Sequence, residues 1–186
     1  MVIDGNGLGI GLIDYMIKPQ IVPTTGDVLP DFGIYNDEEG YYKKYRSENC
    51  EENAIYIMKA HAPENTEAYS ATQTALVSGK LKFLIDERQA KAKLLNTSAG
   101  KAMSPEKRNI YLKPFVMTGI LRDEMMNLRE ENEGVNIILK PVSKKIKKDK
   151  FSALAYGLYY IKQEEDARKR KRNRDFSKWK FYTSGQ

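Results

Sequence analysis

A short apolar run and a glycine-rich turn open the chain. The stretch VIDGNGLGIGLIDYM covers residues 2–16 and places Asp4 directly after the run, before four glycines within seven residues. The apolar run predicts a buried strand that ends near Asp4, and residues 11–17 predict an amphipathic helix. A strand, a glycine-rich turn and a helix in this order are typical of α/β folds, which bind ligands beyond the carboxyl ends of their strands.

These glycines do not match a known phosphate-binding loop. A dinucleotide fingerprint requires the spacing G-x-G-x-x-G, whereas GNGLGIG at residues 5–11 has isoleucine at the position of the last glycine. A Walker loop is also missing, because Gly79 and Lys80 are followed by Leu81 and position 74 is threonine. Nucleotide binding therefore stays an alternative that the motifs do not favour.

Asp4 has two interpretations. A carboxylate at a strand end, beside glycines that let a phosphate backbone and a hydrated cation approach, predicts a metal ligand. The same residue would suit the cap of the following turn or helix, and the residues alone favour this second interpretation. The sequence leaves both interpretations open.

The composition excludes several kinds of site. The chain has 186 residues, the size of one domain, with a single cysteine, Cys50, and a single histidine, His61. A disulfide framework, a thiolate metal cluster and a histidine-rich zinc site are therefore excluded, and a Ser-His-Asp triad would need His61. Metal chemistry would have to use carboxylates, which favour Mg²⁺ or Mn²⁺.

No part of the sequence resembles a membrane span or a signal peptide. The longest largely apolar run, FSALAYGLYYI at residues 151–161, is far shorter than the roughly 18 to 20 residues that a span needs. We expect a soluble protein that is not secreted.

Positive charge concentrates at the C-terminal end. Residues 140–186 carry a formal net charge of +10, whereas residues 1–139 carry −4. Such asymmetry is typical of a surface that binds a polyanion.

The remaining pattern predicts alternating strands and helices around a largely buried sheet. Residues 19–53 have a loop-like composition. Predicted strands cover residues 54–60, 80–86 and 135–140; predicted helices cover residues 65–79, 87–96, a segment from Ser104 to a break at Pro114, residues 115–130 and a long helix from Asp149. The predicted helix caps are Asn65 or Thr66, Asp86 and Ser104. The predicted helix stops are Gly79 and residues 132–134. Asp14 is predicted to lie on a solvated helix face.

Asp149 raises the same question as Asp4. It follows a predicted strand and a lysine-rich loop and begins the long helix, so a helix cap is the simplest interpretation. The alternative is a cation-binding carboxylate among phosphate-binding lysines. These lysines are Lys144, Lys145, Lys147, Lys148 and Lys150.

The end of the long helix is the second basic segment. RKRKRNRDFSKWKFY at residues 168–182 alternates Lys and Arg and then adds aromatic residues, a composition that suits contact with a nucleic-acid backbone and stacking on bases. Arg168, Arg170 and Arg172 are the candidate DNA-binding residues here. A solvated helix end and a localisation-like patch are the alternatives.

Two stretches together resemble the C-terminal nuclease of phage large terminase subunits. Residues 2–16 resemble the segment that carries the second catalytic acid of that nuclease, and KKDKFSALAYGLYYIKQEE at residues 147–165 resembles the segment that carries the last acid. The order and separation of the two segments also match. The resemblance covers most of the chain and is weakest in residues 19–53 and in the tail.

The resemblance implies a ribonuclease H-like fold, a mixed sheet flanked by helices, in residues 1–162, with a basic helix end and tail in residues 163–186. It implies Asp4 and Asp149 as metal-binding catalytic acids, with two Mg²⁺ or Mn²⁺ ions when the site is complete. Gly5, Gly7 and Gly9 match structural glycines of the family. The implied activity is endonucleolytic cutting of concatemeric double-stranded DNA during genome packaging, in the cytoplasm of a bacterial host.

The chain also departs from that family. Terminase large subunits have an ATPase motor, and their nuclease begins with further strands, the first of which bears another acid; neither feature is recognisable here. We expect a portion of the nuclease that is incomplete by itself, with an unpaired sheet edge that favours association. Its expected partners are the missing ATPase and first nuclease strands, the portal and the small terminase. The alternative is a non-catalytic DNA-binding module that acts through its basic C-terminal arm.

Overall fold

A computed structural model describes residues 1–6, 8–47 and 50–177. The mixture of helices and strands confirms the α/β class. The chain forms two compact units, which comprise residues 1–60 with the residues from 156 onward, and residues 61–155. The boundary expected at residue 162 lies inside a helix, Asp149–Ser177. None of the described helices is long and apolar enough to span a membrane.

A three-stranded parallel sheet forms the centre of the first unit. Its strands are β1 (Val2–Asp4), β4 (Phe32–Ile34) and β5 (Glu51–Met58), in the order β1-β5-β4. The strands predicted at the start of the chain and around residues 54–60 are confirmed. Strand β4 lies in the segment predicted to be a loop. The prediction missed this strand because its three residues, which follow Pro30 and include Gly33, are too few to show a recognisable pattern.

The helix predicted after the glycines is confirmed as α1 (Leu8–Met16). Its buried face contributes Ile13 to a cluster of six isoleucines from α1, the residue after it, and the three strands. Burial of an isoleucine side chain contributes about 1.5 to 3 kcal/mol, so this cluster is the main source of stability that holds α1 on the sheet. The cluster comprises Ile3, Ile13, Ile17, Ile34, Ile55 and Ile57.

Short elements connect α1 to β4 and β4 to β5. Strands β2 (Gln20–Ile21) and β3 (Val28–Leu29) form an antiparallel hairpin, and a single 3-10 turn covers Lys43–Tyr45. Apart from β4, these elements and residues 51–53, which belong to β5, the prediction of a loop-like segment is confirmed for its described residues.

The second unit contains four complete helices, a hairpin and the start of the long helix. The helices are α2 (Ala62–Val77), α3 (Glu87–Leu95), α4 (Ser98–Ala102) and α5 (Pro105–Met126). The hairpin pairs β6 (Leu128–Glu133) with β7 (Asn136–Pro141) in antiparallel register. The sheets of the described residues are thus three small ones rather than one large buried sheet.

Several predicted helix ends in this unit are confirmed. The Asp86 carboxylate accepts the Arg88 amide hydrogen at 2.8 Å and caps α3, and the Ser104 hydroxyl accepts from Lys107 at 3.4 Å and caps α5. Gly79 follows α2 with φ +68°, as expected of a helix stop. The predicted cap of α2 was wrong, because the helix begins at Ala62, four residues before Thr66.

Three further predictions in the second unit were wrong. Residues 80–86 are not a strand, because the Leu81 amide bonds to the Ala75 carbonyl at the end of α2 and Leu84 and Ile85 are exposed. Helix α5 continues through Pro114. Residues 128–133 form β6 rather than the end of that helix, so Gly134, with φ +62°, belongs to the hairpin turn and does not end a helix.

The long helix is confirmed as α6 (Asp149–Ser177). Its apolar residues Leu154 and Leu158 are half-buried, whereas Ile161 is exposed. Within the first unit, Tyr160 of α6 packs against Tyr35 and Tyr56 with ring centroids 5.9 and 4.9 Å apart, and the Tyr35 hydroxyl donates to Glu164 at 2.7 Å. These contacts attach α6 to the central sheet.

Candidate functional site

Asp4 lies at the carboxyl end of β1, opposite Met58 of β5, and is exposed. One carboxylate oxygen accepts the Asn6 amide hydrogen at 2.9 Å, so the residue does cap the turn that follows. Its carboxylate makes no other hydrogen bond or ion pair with the described residues. The position at the carboxyl end of two parallel strands is where open α/β sheets bind ligands.

Two of the three candidate glycines have a packing reason. A side chain at Gly9 would overlap the Asp4 carbonyl oxygen, and one at Gly5 would lie 2.6 Å from Ile57. Glycine therefore lets α1 start directly against the end of β1. Gly7 lies outside the described residues. The glycines keep the backbone of Asp4 and the start of α1 in close contact.

Asp149 is the first residue of α6, in the second unit. It is exposed, and its carboxylate makes no hydrogen bond or ion pair with any residue in the described part of the chain. The amides of the first turn are satisfied by Glu124 instead, which accepts from Lys150 and Phe151 at 2.9 and 3.0 Å. The structure thus favours an Asp149 carboxylate that is available to bind a ligand over one that caps the helix.

The lysine-rich loop divides into exposed and engaged residues. Lys144, Lys145 and Lys147 are exposed. The Lys148 ammonium donates to the Leu139 carbonyl at 3.0 Å, and burial lowers the pKa of this side chain. Lys150 pairs with Glu124 at 3.3 Å. The first three lysines are therefore better placed to bind phosphate than the last two.

The arginines predicted to bind DNA lie on the second half of α6. Arg168, Arg170 and Arg172 are exposed, and the Arg170 guanidinium donates to the Asp166 carbonyl at 3.3 Å. Arg168 and Arg172 are four residues apart and share one side of the helix, which suits contact with a phosphate backbone, whereas Arg170 lies on the opposite side. The tail residues 178–186 lie outside the described part of the chain.

Sequence reasoning missed a buried carboxylate in the first unit. Asp31 is completely buried, and its two oxygens accept hydrogen bonds from the Ser47 amide, at 3.0 Å, and from the Ser47 hydroxyl. Desolvation by burial raises the pKa of Asp31, but the hydrogen bonds from Ser47 and Cys50 outweigh it and hold the pKa below the ordinary value. Burial, together with the bond to Asp31, raises the pKa of the Cys50 thiol.

The second residue that sequence reasoning missed is Glu124, which is only 6% exposed. No local pattern predicts that a glutamate near the end of α5 caps a helix that begins 25 residues later. One indirect signal is present. Lys148, the residue before α6, has no hydrogen-bond acceptor in its side chain, so the cap had to come from elsewhere.

The donor chemistry of Asp4 and Asp149 fits Mg²⁺ or Mn²⁺, since both are exposed carboxylates. Their number does not fit a two-ion site. Within the described residues, no group of three or more His, Cys, Asp or Glu side chains is placed to hold a metal ion. Each acid could contribute one carboxylate to an ion that also binds water and substrate phosphate.

Comparison of this chain with protein-family models, with curated proteins and with solved structures found no match in any of the three.

Proposed function

We propose that the chain is the C-terminal nuclease portion of a phage large terminase, with a ribonuclease H-like fold. In this proposal it cuts concatemeric double-stranded DNA with the help of Mg²⁺ or Mn²⁺ in the cytoplasm of a bacterial host. The observation that carries the proposal is the state of Asp149. Its carboxylate is exposed and uncommitted, and three exposed lysines precede it within five residues.

The sheet of the first unit supports the same proposal. Asp4 stands at the carboxyl end of a parallel strand, and the side of β1 that faces away from β5 pairs with no strand among the described residues. A strand with a free edge can accept another strand from a partner. This edge is where we expect the strands that bear the remaining acid of the nuclease to pair.

In the proposed reaction, Asp4 and Asp149 would each act as a ligand of a divalent ion, and Lys144, Lys145 and Lys147 would bind phosphates of the DNA. Bound divalent ions would supply activation of water and stabilisation of the leaving oxygen of a phosphodiester. Two carboxylates are a poor complement for two ions, so the proposed site needs a further acid in addition to Asp4 and Asp149. We therefore expect weak cleavage by this chain alone, with the remaining terminase portion, the portal and the small terminase as its partners.

The alternative function is a DNA-binding module without catalysis. It is favoured by the use of one Asp4 oxygen in a turn and by the exposed Arg168, Arg170 and Arg172. This alternative makes DNA binding depend on salt but not on divalent metal.

One experiment separates the two functions. Binding and nicking of supercoiled plasmid are measured with Mn²⁺, with Mg²⁺ and with a chelator, for the wild type, Asp4→Asn and Asp149→Asn. Asparagine keeps an oxygen that can accept the Asn6 amide hydrogen, so the turn at Asp4 should persist. Asp14→Asn is the matched control, because Asp14 is exposed on α1.

The nuclease proposal expects DNA binding that Mn²⁺ strengthens, slow nicking, and loss of both effects in Asp4→Asn and Asp149→Asn but not in Asp14→Asn. DNA binding that ignores Mn²⁺ and both substitutions would establish the non-catalytic module instead. Fast cleavage that depends on both acids would show that the site is complete in this chain. A nucleotide added in a thermal-shift assay tests the third class, since binding to the folded state raises the melting temperature.

A further inference from the structure

The first turn of α6 lacks a local cap. The Ser152 amide donates to the Lys148 carbonyl at 2.8 Å, which places Lys148 at the N-cap position immediately before the helix. An N-cap side chain usually accepts hydrogen bonds from the amides two or three residues later, but the ammonium of lysine can only donate. The side chain at the N-cap position therefore cannot accept from the amides of Lys150 and Phe151.

Glu124, from the end of α5, provides the missing acceptor. Its Oε2 accepts from the amides of Lys150 and Phe151 at 2.9 and 3.0 Å, and its Oε1 accepts from the Lys150 ammonium at 3.3 Å. The glutamate is only 6% exposed. A buried carboxylate with three donors is held firmly, since removal of these donors would leave a desolvated charge.

This arrangement has a direct consequence for Asp149. The amide of Lys150 belongs to the peptide bond that joins Asp149 to Lys150, so the hydrogen bond to Glu124 holds the peptide plane beside the Asp149 α-carbon. It also occupies the amides that a carboxylate at the start of a helix would otherwise bind. The Asp149 carboxylate is exposed and bonds to none of the described residues.

We propose that Glu124 is the positioning residue of Asp149, which keeps the Asp149 carboxylate turned outward and available to a divalent cation. The inference rests on the proposed function, since it assumes that Asp149 binds the cation. Glu124 itself does not touch the ion. It acts in the same way as the outer partners that orient the ligands of known metal sites.

A purely structural role for Glu124 predicts a different result. In that case its removal lowers the stability of the second unit but leaves the affinity of the folded protein for a cation unchanged. Affinity must therefore be measured on folded protein. A control with similar loss of stability is also needed, and Leu112→Ala supplies it, because Leu112 is buried on the same helix.

The experiment measures Mn²⁺-induced broadening of the amide signals of residues 147–152 in nitrogen-proton NMR spectra of the full chain. The variants are Glu124→Ala, Glu124→Gln, Asp149→Asn and Leu112→Ala. We expect Glu124→Ala to weaken Mn²⁺ binding on the order of tenfold. Glu124→Gln keeps an oxygen acceptor for both amides and should restore binding, and Leu112→Ala should bind as the wild type does. If Glu124→Ala does not fold, Glu124→Asp takes its place, since a side chain one methylene shorter cannot reach both amides.

The outcomes separate the two proposals. Broadening that is lost in Asp149→Asn but equal in the wild type and in Glu124→Ala overturns the positioning role and leaves the metal site intact. If the wild type shows no broadening, or if broadening survives in Asp149→Asn, the proposed metal role of Asp149 fails, and the positioning role fails with it. The inference is supported if Mn²⁺ affinity is weaker in Glu124→Ala but normal in Glu124→Gln and in Leu112→Ala.

Discussion

Single atoms decide how closely α1 approaches β1. A side chain at Gly9 would overlap the Asp4 carbonyl oxygen, whereas one at Gly11, on the same helix, would meet open space. Substitution of these two glycines should therefore have opposite effects on the stability of the fold, although both lie in the same glycine-rich turn and helix. The first is required by packing, and the second only adds flexibility to the unfolded chain.

The first prediction compares these two glycines. Gly9→Ala should lower the free energy of unfolding by about 2 kcal/mol or more, because the backbone of α1 must move away from β1. Gly11→Ala should instead raise it by up to about 1 kcal/mol, since alanine favours the helix. Urea unfolding followed by circular dichroism measures both. Equal effects of the two substitutions would show that Gly9 does not touch β1 as described.

The second prediction concerns the pH dependence that Asp31 causes. Its pKa is lower in the folded state than the ordinary value of 3.8. The ionised carboxylate therefore contributes stability that is fully present above pH 3.8 and is lost as the pH falls through the lower folded-state pKa. Asp31→Asn should cost about 1 to 3 kcal/mol at neutral pH, because a buried donor replaces one acceptor.

The measurement is urea unfolding of the wild type and Asp31→Asn between neutral pH and about pH 3. The difference between the two proteins should shrink as acid protonates Asp31. The exposed Asp27 provides the control, and Asp27→Asn should follow the wild type across this range. A difference that stays constant with pH would mean that ionisation of Asp31 does not stabilise the fold.

Helix α5 illustrates how tertiary packing outweighs a local signal. Pro114 has no amide hydrogen and should break a helix, yet α5 runs from Pro105 to Met126 through it. Leu112, two residues earlier, is buried, and the Thr118 hydroxyl donates to the Pro114 carbonyl at 2.8 Å. The burial of Leu112 before the proline and a hydrogen bond within the helix after it both favour a continuous α5.

The third prediction follows from this helix. Pro114→Ala should raise the free energy of unfolding by about 1 to 3 kcal/mol, because it restores one helical hydrogen bond and removes the clash of the ring. Lys113→Ala, at the exposed neighbouring position, should change it by no more than about 0.5 kcal/mol. Thermal unfolding of both variants tests this. A destabilised Pro114→Ala would indicate that α5 is bent at this point for a packing reason.

Across the whole molecule, charge is the feature that best predicts a partner. Residues 140–186 carry a net charge of +10. The exposed lysines of the loop before α6 lie near the start of this basic segment. Charge alone attracts any polyanion, so a specific role for this loop requires that its position matters as well as its charge.

The fourth prediction separates position from charge. DNA affinity falls as salt concentration rises, and the slope of log affinity against log salt concentration measures the number of phosphate contacts. Combined substitution of Lys144, Lys145 and Lys147 by alanine should make this slope shallower by up to about 0.9 for each lost contact. The matched control substitutes three exposed lysines elsewhere in the second unit and changes the charge equally. These are Lys82, Lys91 and Lys93. Equal slopes for the two triple variants would mean that only net charge matters.

The sequence by itself determined the features whose cause is local. The start of α5 at Ser104 and Pro105 and the cap of α3 at Asp86 depend on side chains within three residues of the amides they bind, so a short pattern predicts them. The strand at Asp4 and the helix after it are likewise recognisable from periodicity. Both candidate acids were found in this way.

Only the tertiary structure decided the features that depend on distant partners. Strand β4 pairs with the distant strand β5, and α5 continues through Pro114 although the local pattern predicts a break. Most important for the candidate site, Glu124 caps α6 across 25 residues of sequence and releases Asp149 from that role. Such contacts stabilise the chain only once it has folded, and no short pattern contains them.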